Sequence, residues 1–175
     1  DEHRENPFLA VIWFHAPHLP CVASKEDVEN YAAADPKLDG LHLNYYGCVT
    51  ALDRAVGKLR ARLRKLGVAK NTLVAFCSDN GPEGNQNAPG RQGDFKGRKR
   101  SLYEGGVRVP SLLEWPARIK PGTSSEVATC TVDYFPTVLE LVGIEMPDDR
   151  PLDGISLVPL FCLLYTSDAA DESLC

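Results

Sequence analysis

What the 175-residue sequence lacks narrows the field first. No stretch approaches the roughly 18 to 20 unbroken apolar residues that a bilayer-spanning helix needs. The longest candidate, Pro7 to Phe14 (PFLAVIWF), reads as a β-strand. There is no basic excess: 24 acidic residues against 19 basic ones leave a net charge of −5. A general nucleic-acid binder carries the opposite sign, because it must replace the counterions of phosphates. The six cysteines (21, 48, 77, 130, 162 and 175) form no CxxC pair, which argues against a zinc knuckle or a thioredoxin-like centre, and no disulfide pairing is assignable from their spacing. Cys77, between Phe76 and a polar turn, reads as a small buried hydrophobe and not as a nucleophile. No internal repeat and no low-complexity tract is found. An initiator Met and a cationic lead into a signal peptide are also missing from DEHRENPFLAVIWF, so the chain reads as beginning in mid-protein and its compartment is not taken from this end.

What is present is enough for a packed domain. Hydrophobic residues make up 43% of the chain, which suffices for a core at this length. After the strand at Pro7–Phe14, HAPHLP breaks regular structure with two prolines, and a polar loop is expected to about Asp39. From Leu41 to Leu66 the pattern is helical: Val49, Leu52, Val56, Leu59, Leu63 and Leu66 recur at intervals of three and four and form one stripe. Arg60, Arg62, Arg64 and Lys65 load the last turns with cations that oppose the helix dipole, a solvated face and not a nucleic-acid patch, and Gly67 offers a stop. Thr72 to Cys77 is a second strand, giving a candidate βαβ unit with parallel strands. VRVPSLLEWP (Val107 to Pro116) carries another short apolar segment. DYFPTVLELVG predicts a helix with Asp133 as N-cap, Pro136 in its first turn, Gly143 past its end and Val138, Leu139 and Val142 as its core face.

Chemistry concentrates after the strands, where parallel sheets place their ligands. Asp79 and Asn80, at the carboxyl end of the second strand, offer a carboxylate and an amide carbonyl, the hard oxygen donors that suit calcium or magnesium; Asp-Asn-Gly is equally a common turn sequence. RQGDFKGRKR sets Arg91, Lys96, Arg98, Lys99 and Arg100 against Asp94 alone. Most of those cations read as a solvated, flexible loop; one or two beside a metal suffice to hold an anionic group. HAPH presents His15 and His18 on a proline-bounded turn, where an imidazole can donate to an anionic oxygen or act as a general acid.

FHAPHLP, LDRAVGKLRARLRKLGVAKNTLVAFCSDNG, KRSLYEGGVRVPSLLEWP, DYFPTVLELVG and LDGISLVPL, taken in order over about residues 7 to 160, resemble the sequential blocks of the carboxyl-terminal half of a type I sulfatase, a family of the alkaline-phosphatase-like superfamily. The resemblance implies an α/β fold, part of an alkaline-phosphatase-like α/β/α sandwich with a mostly parallel sheet. Residues 1–160 then form the carboxyl-terminal portion of a catalytic domain, and 161–175 are left as an unassigned tail that departs from the family, by truncation, frame error or appended non-native sequence. It implies that Asp79 and Asn80 are the second pair of Ca2+ ligands and that His18 hydrogen-bonds the sulfate and the leaving oxygen. Lys99, four residues before Tyr103, matches the lysine that binds sulfate and neutralises the departing alcohol; Lys96 competes for that role at the wrong spacing to YEGG. Gly105 and Gly106 are expected to allow backbone shapes that other residues resist.

The implied reaction is hydrolysis of a sulfate ester on a sulfated small molecule or carbohydrate, with a formylglycine nucleophile generated from a C/S-x-P-S-R motif and with calcium and cations stabilising the oxygens. That motif occurs nowhere in the chain, and CVASK at Cys21–Lys25 lacks both its Pro and its Arg. The amino-terminal pair of Asp ligands is absent too. Asp79 and Asn80 supply two or three of the 6 to 8 oxygens calcium takes, so the isolated chain is expected to be inactive and aggregation-prone. The resemblance implies a secreted, periplasmic or lysosomal protein; charge and hydropathy argue against a nucleic-acid partner and a membrane span. Two alternatives stand beside it: a phosphoester or phosphonate-ester hydrolase of the same superfamily, and a non-catalytic protein that retains the fold.

Overall fold

The structure, a computed structural model, describes residues 6–165. It divides into two compact units, one built from Phe8–Lys65 and Cys77–Ser111 and the other from Leu66–Phe76 and the chain after Leu112, with Asp1–Pro7.

In the first unit the helical pattern folds into α2 (Gly40–Lys65), with Leu63 buried and Arg62, Arg64 and Lys65 in its last turn; of the expected stripe, Val49 is exposed and Leu66 lies just past the helix. Gly67 takes φ 75° just beyond it, the left-handed shape that lets a chain leave a helix. The expected polar loop is corrected: it contains α1 (Lys25–Ala34), whose N-cap Ser24 accepts the Asp27 N–H. The signal was Ser24 followed three residues later by an acid. α1 packs on α2 at a point where only glycine fits, since a Cβ on Gly47 would lie 2.4 Å from Ala23 Cβ. Beside that contact the buried Asp27 accepts from Ser24 Oγ at 2.7 Å and from Arg54 of α2, and Tyr31 Oη meets Thr50 Oγ1 at 2.8 Å.

Pro7–Phe14 is the main correction. No strand forms there, and the apolar side chains stand exposed, Trp13 at 92% and Leu9 at 70%. An apolar run becomes a strand only when a neighbouring edge takes its N–H and C=O groups, and among the described residues none does. The expected βαβ unit is therefore not formed. The sheet that is described consists of β1 (Val74–Cys77) and β2 (Ser111–Glu114), which run antiparallel, and the Ala117 N–H to Lys70 O bond at 3.0 Å continues their pairing outward.

The core of the second unit gathers Trp115, Ile119, Leu157 and Phe161, with Leu73, Leu113, Ala117 and Leu141 against it. Trp115 and Phe161 meet edge to face, centroids 6.1 Å apart. α4 (Tyr134–Val142) ends at Gly143, φ 67°, as read. Its inward face differs: Val142 is exposed, and Leu141 and the fully buried Thr137 point in. Asp133 does not cap α4 with its side chain. Its carboxylate instead accepts from Cys130 N at 2.6 Å and Ile155 N at 2.9 Å, while Thr137 Oγ1 donates to Asp133 O and accepts from Leu157 N. These bonds hold LDGISL against α4, and α5 (Val158–Tyr165) runs on through position 160, with Phe161 in the core. Residues 166–175, most of the expected tail, lie outside the described residues.

Candidate active site

Every candidate side chain lies in the first unit. β1 ends at Cys77 and the chain turns through Ser78, Asp79, Asn80 and Gly81, with Ser78 Oγ donating to Asn80 O at 2.9 Å. This turn is locked to YEGG. Gly81 N donates to Gly106 O at 2.8 Å, and a Cβ on Gly81 would lie 1.9 Å from Gly105 O. On the other side, Cβ atoms on Gly105 and Gly106 would meet Gly97 O at 2.2 Å and Ser101 O at 2.1 Å. Gly105 and Gly106 sit in a short helix, α3 (Glu104–Val107), without positive φ. Their need for glycine is thus close backbone approach, not the unusual backbone shape expected from the sequence.

The loop so anchored carries the cationic cluster, and each of its five cations is engaged, three of them with Glu83. Arg91 Nη1 donates to Gln86 O at 2.6 Å. Lys96 Nζ stands 4.0 Å over the Tyr103 ring. Arg98 spans the base of the loop, reaching Gln92 Oε1 at 2.6 Å, Gly90 O at 2.7 Å and Glu83 O at 3.0 Å. Arg100, at φ 73°, a left-handed conformation that costs a residue with a Cβ about 1–2 kcal/mol, lays one nitrogen on both Glu83 oxygens, at 2.6 and 2.8 Å. Lys99 alone among the five reaches a histidine: its Nζ is 3.3 Å from His18 Nε2 and 4.0 Å from Glu83 Oε2. Arg91, Lys96 and Arg100 are exposed, as the reading of a solvated loop expects, while their side chains also tie the loop to itself.

His18 is aimed by its turn. Its N–H donates to His15 O at 2.8 Å, and the two imidazoles lie 5.3 Å apart. Nδ1 is 2.7 Å from Leu19 O. A carbonyl can only accept, so Nδ1 carries a proton and Nε2 faces Lys99. Glu83 is held below the usual carboxylate range, first by the Arg100 hydrogen bond, then by the Gly84 N–H and by the charges of Arg100 and Lys99. It thus stays anionic beside the Lys99 ammonium.

His18 and Lys99, 81 positions apart, are in this way brought into direct contact. Asp79 and Asn80 are joined to Lys99 through the backbone, since Lys99 N donates to the carbonyl of Pro82, two residues past Asn80, at 3.1 Å. The Asp79 carboxylate is exposed. Asn80 Nδ2 donates to Gly81 O at 2.9 Å, which leaves Oδ1 on the opposite side of the amide. These donors suit a hard cation in kind. In number they form part of a coordination shell, and among the described residues no group of three or more His, Cys, Asp or Glu converges to complete one. Glu83 and the bracing role of Arg98 were missed in the sequence: Glu83 lies inside an ordinary-looking turn, and nothing in RQGDFKGRKR separates a cation that braces the loop from one that faces outward.

The family model described as Sulfatase matches residues 1–144. Steryl-sulfatase of Rattus norvegicus is 40% identical over 165 residues, covering 90% of this chain and 27% of that protein. N-acetylgalactosamine-6-sulfatase of Mus musculus is 35% identical over 158 residues, 89% of this chain and 29% of its own length. The chain therefore spans little more than a quarter of the curated relatives it matches. Among solved structures, Ps i-CgsB in complex with k-i-k-neocarrahexaose superposes with TM-score 0.74 at 35% identity, over 83% of this chain and 31% of its own. The shared fold is the α/β alkaline-phosphatase-like one.

Proposed function

Because the chain belongs to the sulfatase family, we propose that it is the carboxyl-terminal portion, residues 1–160, of a catalytic domain that hydrolyses sulfate esters, with His18 and Lys99 acting on the ester and Asp79 and Asn80 helping to hold Ca2+. The observation that carries this reading is the 3.3 Å approach of Lys99 Nζ to His18 Nε2 on a loop locked to the Asp79–Gly81 turn. An ammonium can only donate, so an N–H of Lys99 points at Nε2 and a proton is held between the two nitrogens. When a sulfate ester enters, Lys99 directs its remaining N–H groups at the sulfate oxygens, and His18, once it carries a proton at Nε2, is the group that donates it to the departing oxygen. Glu83 stands 4.0 Å from Lys99 Nζ as its countercharge, and Arg98 keeps the loop in place. Calcium, when bound, supplies positive charge to the sulfate oxygens. The nucleophile belongs to sequence outside this chain, which has no C/S-x-P-S-R motif.

A sulfated carbohydrate is the proposed substrate class, supported by relatives with a sugar sulfatase name and by a neighbour solved with an oligosaccharide. A secreted, periplasmic or lysosomal setting goes with it. No helix among the described residues is long and apolar enough to cross a membrane.

The test is turnover of 4-nitrophenyl sulfate by the full-length protein. His18→Ala and Lys99→Ala are each expected to lower kcat by roughly 10²- to 10⁴-fold, the usual range for loss of a proton donor or charge stabiliser. Wild-type rates in both variants would remove these residues from the reaction. The 175-residue chain by itself is expected to show no turnover; measurable hydrolysis by it would contradict the placement of the nucleophile outside it.

A further inference from the structure

His18 and Lys99 come from loops that share one support. Two neighbouring side chains near the start of α2, Asn44 and Tyr45, each hold one of those loops. Asn44 uses both ends of its amide: Nδ2 donates to Gly40 O at 2.8 Å, and Oδ1 accepts from Ala23 N at 3.0 Å. With both ends engaged, the acceptor stays on Ala23. Between His18 and Ala23, Cys21 Sγ donates to Pro17 O at 3.1 Å, which folds the segment back onto the turn that presents His18. Tyr45 serves the other loop. A Cβ on Gly90 would lie 3.2 Å from Tyr45 Oη, 3.7 Å from its Cζ and 2.8 Å from Pro82 Cβ, so the buried Gly90 rests against both the phenol and Pro82. Both contacts lead on to the cationic loop: Arg98 Nη2 donates to Gly90 O at 2.7 Å, and Lys99 N donates to Pro82 O at 3.1 Å. Burial pushes the Tyr45 hydroxyl above its ordinary value, so the phenol stays neutral and its part is steric.

We propose that Asn44 and Tyr45 are positioning residues for sulfate-ester hydrolysis: from adjacent places on α2 they set the approach of Lys99 to His18 by fixing the loop behind each. The inference rests on the hydrolase reading. Each residue acts through its loop and not on the ester. The 3.3 Å spacing of Lys99 Nζ and His18 Nε2 joins groups 81 positions apart, and a common helical base makes that spacing reproducible. A misplacement of about 1 Å at reacting groups can cost about 10²-fold in rate.

The experiment measures kcat and KM of the full-length protein for 4-nitrophenyl sulfate. Asn44→Leu and Tyr45→Ala are each expected to lower kcat by roughly 10- to 100-fold with KM within about twofold of wild type, the signature of misaligned reacting groups and not of lost binding. Asn44→Asp keeps an acceptor for Ala23 N and Tyr45→Phe keeps the ring against Gly90; each should restore most of the loss. Gly90→Ala, which pushes a methyl into the same contact and leaves α2 untouched, should lower kcat in the same way and keeps the test open where Tyr45→Ala does not fold. The deciding comparison is made in the Lys99→Ala background, where Tyr45→Ala should cost at most about a further twofold, because the group it positions is already gone. A loss there as large as in the wild-type background overturns the proposal, since Tyr45 would then support the fold in general. Wild-type rates in Asn44→Leu, Tyr45→Ala and Gly90→Ala beside an impaired Lys99→Ala also overturn it, and leave the hydrolase reading standing. Wild-type rates in His18→Ala and Lys99→Ala remove that reading, and the positioning role falls with it.

Discussion

Lys96 and Lys99 stand three positions apart with the same ammonium, yet one lies over the Tyr103 ring and the other against His18 Nε2. Their neighbours, not their chemistry, divide the roles. Lys96→Ala is therefore expected to forfeit a cation–π contact of about 0.5–1 kcal/mol in stability while leaving turnover of the full-length protein near wild type, in contrast to Lys99→Ala; a comparison of kcat and melting temperature for the two variants checks this. Glu83 gives a pH prediction. Its folded value lies below the ordinary 4.5, chiefly through Arg100, so its stabilising effect is complete above that ordinary value and is lost as pH falls through the lowered one. The stability of wild type over Glu83→Gln should then be constant near neutrality and shrink only below pH 4.5. A gap that closes between pH 6 and 8 instead would show that another group is being titrated. Asp27 behaves with the same sign, held low first by Ser24 and then by Arg54.

At the scale of elements, α2 and β1 were legible because their signals are local: a long three-and-four stripe, and an apolar run closed by a turn. α1 was obscured by its polarity; it is held by one cap, by the bonds of Asp27 and Tyr31 to α2 and by a docking point on Gly47 that no sequence pattern displays. Asp133 stands at the N-cap position read for it, but the partners of its side chain and of Thr137, Ile155 and Leu157, lie 22 and 20 residues onward and leave no local pattern. Block order singles out His18, Lys99 and Asp79 as candidates, and the contact of His18 with Lys99, like the bracing by Arg98 and Glu83, exists only in three dimensions. Two glycines of α2 test the docking argument. A Cβ on Gly57 meets nothing within 4 Å, so Gly57→Ala should gain roughly 0.5–1 kcal/mol from helix propensity. Gly47→Ala gains the same but forces Ala23 to move from a 2.4 Å contact, an overpacking cost of about 1–3 kcal/mol, and should come out destabilised. Denaturant melts of both variants decide it; two equal stabilisations would mean that α1 does not rest on Gly47. In the other unit, Thr137→Val keeps the shape but leaves the Leu157 N–H without its acceptor, at a cost of about 1–3 kcal/mol, measurable in the same way.

For the molecule as a whole, the apolar segment at its start is the dominant surface feature. Phe8, Leu9, Val11, Ile12, Trp13 and Phe14 are exposed, between 39% and 92%, in a sequence that reads as a strand because Val, Ile, Phe and Trp suit a pleated, half-buried surface. Charge does little to keep such surfaces apart near the segment, because positions 7–14 contain no ionisable residue. A contiguous apolar patch with unpaired backbone groups is a template for association with another copy. The 175-residue chain should consequently self-associate with rising concentration, bind an apolar dye such as ANS, and show Trp13 emission that shifts to the blue as it does so. Ile12→Lys with Trp13→Lys breaks the run with charges on adjacent positions and should move the onset of association to higher concentration without altering the helical circular dichroism, which comes from residues elsewhere. Light scattering across a dilution series reads the result. If the double variant associates as readily as the parent, the sticky surface lies elsewhere, and the exposed run from Phe8 to Phe14 is not what limits the chain's solubility.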